Sequence, residues 1–441
     1  MKFGALLAWV GALYLFAVFF PVVVDGYAEE TKVYTLHESI QEALANNWKL
    51  RAKQEKINQS LYVKNQARAE FLPKLSTSYG YRREGWNPVL KSPDFGEIEI
   101  GTLNNFQWKG TVTQPLFTGF ALISNYRLAE LGIDQSELEV ELEQLDLALR
   151  VKTAYFDILT ADMAVETAQK AWEALESHAQ VSRNFYKVGM IPINDLLESE
   201  VNANNAKHDL ISAKNNARLA RAAFNTLLSR PVNAPVDVKE IKDYEPMGGS
   251  FQDYLEKALE DRPEMKLIKN NILQSDQRIR LAGSDYYPEV TFSWDYIREG
   301  DTFSVSGSDY HQASQWQAVA GLTWTFWEWG KTHYRVKQQE SVKNELLKTK
   351  MELEENIQLE IKNAFLGLET AETNIPITRK AVEQGEENLR VSQERYKAQV
   401  TTSTEVLDAQ RYLTRARVNN FTALYQYHEA KARLMRAIGT Y

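Results

Sequence analysis

Hydrophobic and polar positions along this chain alternate in two rhythms, and each change of rhythm marks an element boundary. From Leu36 to about Ala69 the apolar residues Ile40, Leu44 and Leu50 keep helical spacing, until Pro73 pushes the residue before it out of the α region. The period then drops to two. Leu75, Thr77, Tyr79 and Tyr81 alternate with Ser76, Ser78, Gly80 and Arg82; Phe106, Trp108, Gly110 and Val112 alternate with Gln107, Lys109, Thr111 and Thr113. Two strands are predicted, each of about ten residues, the length a tilted strand needs to cross a bilayer. From Gly119 to Tyr186 no proline intervenes and Gly132 is the only internal glycine, which predicts one helix of roughly 100 Å. Leu138, Leu142, Leu145, Leu149, Phe156 and Leu159 hold the four- and three-residue steps of a coiled-coil seam, which Lys152 interrupts. A half-length helix, Pro192–Leu228, follows.

The whole pattern then recurs. Val290, Phe292, Trp294 and Tyr296 alternate with Thr291, Ser293 and Asp295. Trp316, Ala318, Ala320, Leu322, Trp324 and Phe326 alternate with Gln317, Val319, Gly321, Thr323 and Thr325. A second long helix runs from Gly330 to about Lys397, with a kink expected at Pro376. Phe71-Leu72-Pro73 returns as Tyr286-Tyr287-Pro288, and Tyr186-Lys187 returns as Tyr396-Lys397. Asp195-Leu196-Leu197-Glu198 returns as Glu405-Val406-Leu407-Asp408. A period of about half the molecule predicts a duplicated unit: residues 29–235, a linker at 236–250, and residues 251–441. In each half, two shorter helices are expected to stack end to end beside one full-length partner. The stretches Gly85–Asn105 and Gly300–Ser314 are expected to be polar loops.

Tyr79, Tyr81, Trp108, Trp294, Tyr296, Trp316, Trp324 and Phe326 share one face of the predicted strands, and Phe117, Phe120, Trp327 and Trp329 sit at the strand-to-helix junctions. Such a face suits lipid, with aromatic girdles at the two interfaces. The same residues would also serve as the inward face of a small soluble sheet. The Ser, Thr, Gln, Lys and Arg of the opposite face suit a wet lumen and favour the membrane reading. Four strands cannot enclose anything, since roughly eight are needed for a filled barrel. Several chains must therefore share one barrel, and three copies give about twelve strands and an open pore.

Met1-Lys2-Phe3, an apolar run to Val24 and the small residues of Gly26-Tyr27-Ala28 have the order of a secretory signal cut before Glu29, spanning residues 1–28. An uncleaved anchor helix is the alternative. The chain has no cysteine, so disulfides, thiolate metal sites and a lipid-modified cysteine are excluded together. A net charge of −8 without a basic patch argues against a nucleic-acid partner. His37, His178, His208, His311, His333 and His428 are scattered and are expected to be solvated or interfacial. With no metal-ligand spacing, phosphate loop or nucleophile elbow, no enzyme, cofactor or metal is expected.

Ser39-Ile40-Gln41-Glu42-Ala43-Leu44 with Asn46-Asn47, Gln114-Pro115-Leu116-Phe117, Thr323-Trp324-Thr325-Phe326 with Gly330, and Tyr396-Lys397 leading to Glu405-Val406-Leu407-Asp408-Ala409-Gln410 together resemble the TolC-like outer-membrane efflux channel family. Trp48 stands where the family commonly has proline. The resemblance implies a mainly α fold with membrane β-structure, a homotrimer with a helical barrel below one twelve-stranded β-barrel. It implies location in the outer membrane of a Gram-negative-type bacterium, in contact with outer-membrane lipid and reaching into the periplasm. It implies a periplasmic adaptor protein and an inner-membrane pump of the resistance-nodulation-division, ABC or major facilitator type as partners, with this chain as the passive exit duct of efflux or type I secretion. The contrasting reading is a periplasmic coiled-coil adaptor, which carries one helical hairpin instead of two. By the same resemblance Asp195, Glu198, Glu405 and Asp408 stand at the periplasmic aperture. At a three-residue spacing both acids of a pair lie on one helical face, where a trimer forms acidic rings that favour cations. Helix capping is the alternative, because Thr402 and Glu405 have capping-box spacing; Asp408, deeper in the helix, fits the aperture better. Tyr396 is expected to tie to Asp195 across the hairpins, in a lock weakened by Thr401 where a basic residue would strengthen it.

Overall fold

A computed structural model describes residues 32–441, so the expected signal segment, residues 1–28, lies outside the described residues. Thr35 opens the first helix with a reciprocal capping box to Glu38, giving α1 (Leu36–Asn46). The single helix expected over 36–69 is in fact two. Asn47 adopts an extended backbone and its side chain accepts from the amides of Lys49 and Leu50, starting α2 (Trp48–Ala69) at an angle to α1. After β1 (Lys32–Tyr34) and these helices come β2 (Lys74–Arg83), a short hairpin of β3 (Val89–Ser92) and β4 (Gly96–Glu99), and β5 (Asn104–Thr118). The hairpin lies inside the stretch expected to be loop. Its Val89 pairs with Glu99 and its Leu90 with Ile98 across a turn closed by Gly96 at φ +77°. Then α3 (Ala121–Lys187) runs 67 residues unbroken, and α4 (Ile193–Leu227) returns along it.

The second unit repeats this order. β6 (Val236–Val238) opens the expected linker and pairs in parallel with β1. Ser250 caps α5 (Phe251–Asp261), and α6 (Pro263–Ala282) follows a bend at Arg262 that matches the one at Asn47. β7 (Glu289–Gly300) and β8 (Ser314–Thr323) precede α7 (Lys331–Lys397) and α8 (Ser403–Ala437). α7 has the same 67 residues as α3 and passes through Pro376 as one element. The strand expected to reach Phe326 stops at Thr323, so Trp324 and Phe326 lie in the segment leading to α7.

In each unit a short helix and a longer one share the flank of a full-length helix. Lys53 and Lys64 of α2 bind Glu139 and Glu130 in the first half of α3, each at 2.9 Å, while α4 packs along its second half. The wall therefore reads α2–α3–α6–α7 near the strands and α4–α3–α8–α7 at the far end. Two cores hold it. In one, Tyr34, Leu50, Val151, Tyr155, Ile158 and Phe224 join α1 and the β1–β6 pair to α3 and α4. In the other, Ile357, Ile361, Leu368, Tyr427 and Leu434 join α5 to α7 and α8. Of the expected seam, Leu145, Phe156 and Leu159 are buried while Leu138, Leu142 and Leu149 are only half-buried, and Leu147, Val151 and Ile158 lie deepest instead. At the strand-to-helix junction Gly119 has φ +59°, and a Cβ there would lie 2.2 Å from the Ser284 carbonyl, so only glycine lets the two units approach.

Candidate functional site

Four strands form one antiparallel sheet in the order β2-β5-β7-β8. Directly opposed residues share a face, and the register pairs Tyr79 with Trp108, Tyr81 with Phe106, Val112 with Trp294, and Tyr296 with Trp316. The expected aromatics thus fall on one side, apart from those beyond the end of β8. Among the described residues only Phe303 packs on this face, with its ring centroid 5.3 Å from that of Tyr79, and most of the aromatics stay open. Trp316 is 68% exposed and Tyr81 53%, so this face is not the core of a small soluble sheet. Trp324, Trp327 and Trp329 are exposed in the junction to α7, where Trp324 donates to the Tyr286 carbonyl at 3.3 Å and Trp327 meets Trp329 edge to face. On the other face Asp295, 4% exposed, ties three strands together. It accepts from Thr111 of β5 at 2.7 Å and Gln317 of β8 at 2.8 Å, and pairs with Lys109 of β5 at 3.0 Å. These bonds link β5, β7 and β8 and fix their register. Among the described residues neither outer edge, β2 or β8, has a strand beside it.

At the opposite end the chain forms two hairpin tips closed by the same turn. Gly189 and Gln399 both take left-handed backbone, at φ +76° and +59°. The Met190 amide donates to the Phe185 carbonyl and the Val400 amide to the Arg395 carbonyl, each at 2.9 Å, as in a Schellman closure. The four tip acids divide. Asp195 is half-buried in the first turn of α4, Glu198 is exposed one turn on, and neither carboxylate has a partner among the described residues. Glu405 pairs with Arg395 across its own hairpin at 2.9 Å and accepts from Thr401. Asp408 pairs with Arg411 one turn along α8.

Two expectations fail here. The Thr402 side chain caps nothing, because Glu405 turns instead to the guanidinium of Arg395 and the Thr401 hydroxyl. Tyr396 does not bond to Asp195 within the chain. Its ring is 5% exposed, turned into the space between the hairpins, where its hydroxyl meets Ser182 at 3.1 Å. Beside it His178, expected to be solvated or interfacial, is buried at the interface between the hairpins. Its Nε2 lies 2.8 Å from Ser403 Oγ and its ring centroid 4.8 Å from that of Tyr396. Burial pushes its pKa down to about 4. The signal was present: Ala171, Leu175, His178 and Ser182 continue the four- and three-residue steps of α3, placing polar groups on the buried seam. His428 is also drawn inward, half-buried and stacked on Phe156 at 5.2 Å.

A wall of 67-residue helices continued by an open sheet with an exposed aromatic face is the architecture of a channel protein. Comparison with known proteins agrees. The family model described as outer membrane efflux protein matches residues 39–230 and 254–440, and the chain belongs to that family. It is similar to outer membrane protein TolC of Escherichia coli, 20% identical over 95% of this chain and 84% of that one. It is also similar to the alkaline protease secretion protein AprF of Pseudomonas aeruginosa, 23% identical over 57% of this chain and 52% of AprF. Among solved structures it superposes on the CmeC outer membrane channel of Campylobacter jejuni with a TM-score of 0.80 at 16% identity, covering 92% of this chain and 85% of that one. The open state of the MtrE outer membrane channel of Neisseria gonorrhoeae gives 0.74 at 19% identity, covering 92% and 89%. The protein is an outer-membrane channel protein that serves as an exit duct in efflux or secretion. Among the described residues no helix is long and apolar enough to cross a membrane.

Proposed function

We propose that three copies assemble into one continuous duct, a twelve-stranded barrel above a helical tunnel, which completes a tripartite efflux or type I secretion system. The observation that carries this reading is a pair of unfinished edges that run the whole height of the chain. On one side stand β2, α2 and α4; on the other stand β8 and α7. β2 and β8 run in opposite directions, so β8 of one copy can continue onto β2 of the next without breaking the antiparallel order. Both helical edges carry a second apolar stripe. On α4, Leu197, Val201, Ile211 and Leu219 are exposed opposite the buried Ala203, Ala206, Leu210 and Ala217. On α7, Leu359, Leu366 and Ile377 are exposed opposite the buried Ile357, Ile361, Leu368 and Ile375. Unlike edges that meet head to tail close into a ring. Two copies supply too few strands for a wet lumen, and three supply enough.

In this reading Tyr79, Tyr81, Trp108, Trp294, Tyr296, Trp316, Trp324, Trp327 and Trp329 face lipid and its interfaces. The tips form the periplasmic aperture, with Asp195, Glu198, Glu405 and Asp408 around it. Val188, Met190 and Val400 are exposed in the two turns and offer apolar contacts to a periplasmic adaptor, which links the duct to an inner-membrane pump. The duct itself catalyses nothing and takes no cofactor. Two long hairpins, where an adaptor carries one, favour the duct. Because the Asp195 carboxylate has no partner among the described residues and that of Asp408 is bound to Arg411, Asp195→Ala should reduce cation preference more than Asp408→Ala in planar bilayers. Conductance and ion preference unchanged in both variants would remove the acids from the aperture. Recovery of the protein as a detergent-free monomer would end the duct reading itself.

A further inference from the structure

The joint between the two hairpin tips is made entirely of uncharged side chains. His178 and Ser182 come from α3, Ser199 from α4, Tyr396 from α7 and Ser403 from α8, and all five are buried. The bonds run in a chain: His178 Nε2 to Ser403 Oγ at 2.8 Å, Ser403 to Ser199 at 3.2 Å, Ser199 to Ser182 at 3.1 Å, and Ser182 to the Tyr396 hydroxyl at 3.1 Å. One imidazole thus sits where all four helices meet. Phe185 packs on the far side of Tyr396, with ring centroids 5.7 Å apart.

This is a poor place for a cation. The imidazole bonds to Ser403 and packs on the ring of Tyr396, and among the described residues no carboxylate bonds or pairs with His178. The charges that flank the joint on each helix are engaged elsewhere or face outward. Arg183 of α3 holds Glu200 of α4 at 2.8 Å, and Arg395 of α7 holds Glu405 of α8 at 2.9 Å. Lys397 pairs with Glu394 on α7, and Asp408 with Arg411 on α8. Asp195 and Glu198 lie beyond Ser199 toward the tip of α4. Ser403 is the first residue of α8, so the imidazole also sits at the positive end of that helix. A neutral ring satisfies the joint; a protonated one has no counter-charge within it.

We propose that protonation of His178 parts the α3–α4 tip from the α7–α8 tip, which makes the joint between the hairpins acid-labile. The consequence for conductance rests on the aperture reading above; the parting of the joint does not. The sign follows from linkage. Burial holds the imidazole near 4, whereas a solvated one titrates near 6.5, so between those values the parted state binds the proton more tightly. Acidification across that window favours parting by up to about tenfold per pH unit, and below it the effect levels off.

The cysteine-free chain allows a direct test. Spin labels are placed on cysteines introduced at Met190 and Gln399, one on each tip, in the full-length protein, and distances are read between pH 7.5 and 4.5. The expected result is a reversible lengthening in the otherwise native chain and a fixed short distance in His178→Gln, which can bond to Ser403 but cannot take up the proton. An unchanged distance in the native background overturns the proposal, as does an equal response in the variant. Should the variant fail to show heat-modifiable migration, NMR titration of His178 in the native protein decides. An apparent pKa of 6 or above overturns the idea; one near 4 upholds it. Lengthening without a change in conductance upholds the joint and sinks the aperture reading.

Discussion

Arg262 shows how much a single side chain holds in this fold. It is 3% exposed, and its guanidinium reaches Glu264 and Glu360, each at 2.7 Å. Arg436 of α8 meets the same two acids and also Asp146 of α3, so the cluster couples the second unit to the first. Burial pushes the Glu264 carboxyl up, but the neighbouring guanidinium groups of Arg262 and Arg436 outweigh it, and its pKa lies below the usual carboxylate range. Removal of one partner from a buried pair costs about 3–5 kcal/mol where both charges are fully enclosed. Glu360 is 44% exposed and its charge stays partly hydrated. Arg262→Ala is therefore expected to cost about 2–3 kcal/mol, at or just below the low end of that range, while Glu264→Gln costs less. Because the Glu264 pKa is depressed by folding, its contribution is present above the unfolded value of about 4.5 and is lost as pH falls through the folded one. Thermal denaturation at pH 7 and pH 4 checks both points. Equal melting temperatures for Arg262→Ala and the native chain at pH 7 would show the cluster to be decorative.

The bends at Asn47 and Arg262 make the case at the scale of elements. Both residues are extended, with ψ of 124° and 130°, and each starts a helix that leaves the preceding one at an angle. Pro263 occupies the first helical position in the second unit, where no intrahelical bond needs its missing amide hydrogen. Trp48 holds that position in the first unit and is 69% exposed. Trp48→Pro should leave the fold intact and raise stability by about 0.4–1 kcal/mol, through restriction of the unfolded chain. Asn47→Ala should lower it by about 1 kcal/mol, since the cap to Lys49 and Leu50 is lost, along with a bond from Asn47 Nδ2 to the Leu227 carbonyl. Urea melts of both variants give the answer, and a Trp48→Pro variant less stable than the native chain would refute the equivalence of the two bends. These elements also mark what the sequence could and could not disclose. Period-two alternation located all four sheet strands and the side their aromatics take, and the absence of proline located α3. The bend at Asn47 was hidden because Ile40, Leu44 and Leu50 keep helical spacing straight across it, and a capping side chain leaves no trace in periodicity. The partner of Tyr396 was hidden for a different reason. Asp195 is near it in the logic of paired hairpins, but burial selected the hydroxyl of Ser182, and only the three-dimensional seam shows which side of α7 turns inward.

Assembly belongs to the whole molecule, where the two unfinished edges must be satisfied together or not at all. A sheet with bare edge strands is a liability in water and in lipid alike, and the apolar stripes on α4 and α7 extend that liability down the helical wall. A symmetric two-fold contact would pair like with like, β2 on β2 or β8 on β8, and would leave the other edge bare. A head-to-tail contact covers both. Closure then depends on strand number. Two copies give eight strands, enough only for a filled barrel, and three give a lumen wide enough to serve as a duct. Single cysteines introduced along β2 and along β8, combined pairwise in a chain with none of its own, report the contact directly. The expected pattern is a dimer and a trimer band on denaturing gels, with nothing larger, for the pairs whose register matches, and no product from β2–β2 or β8–β8 combinations. Leu366→Glu, on the outward stripe of α7, should weaken the trimer while the secondary structure of the isolated chain stays as it is. Products beyond the trimer would mean that the edges propagate instead of closing. Cross-links within β2–β2 pairs would mean that the contact is two-fold. Either result would dismantle the duct, because a four-stranded sheet has no other way to surround water.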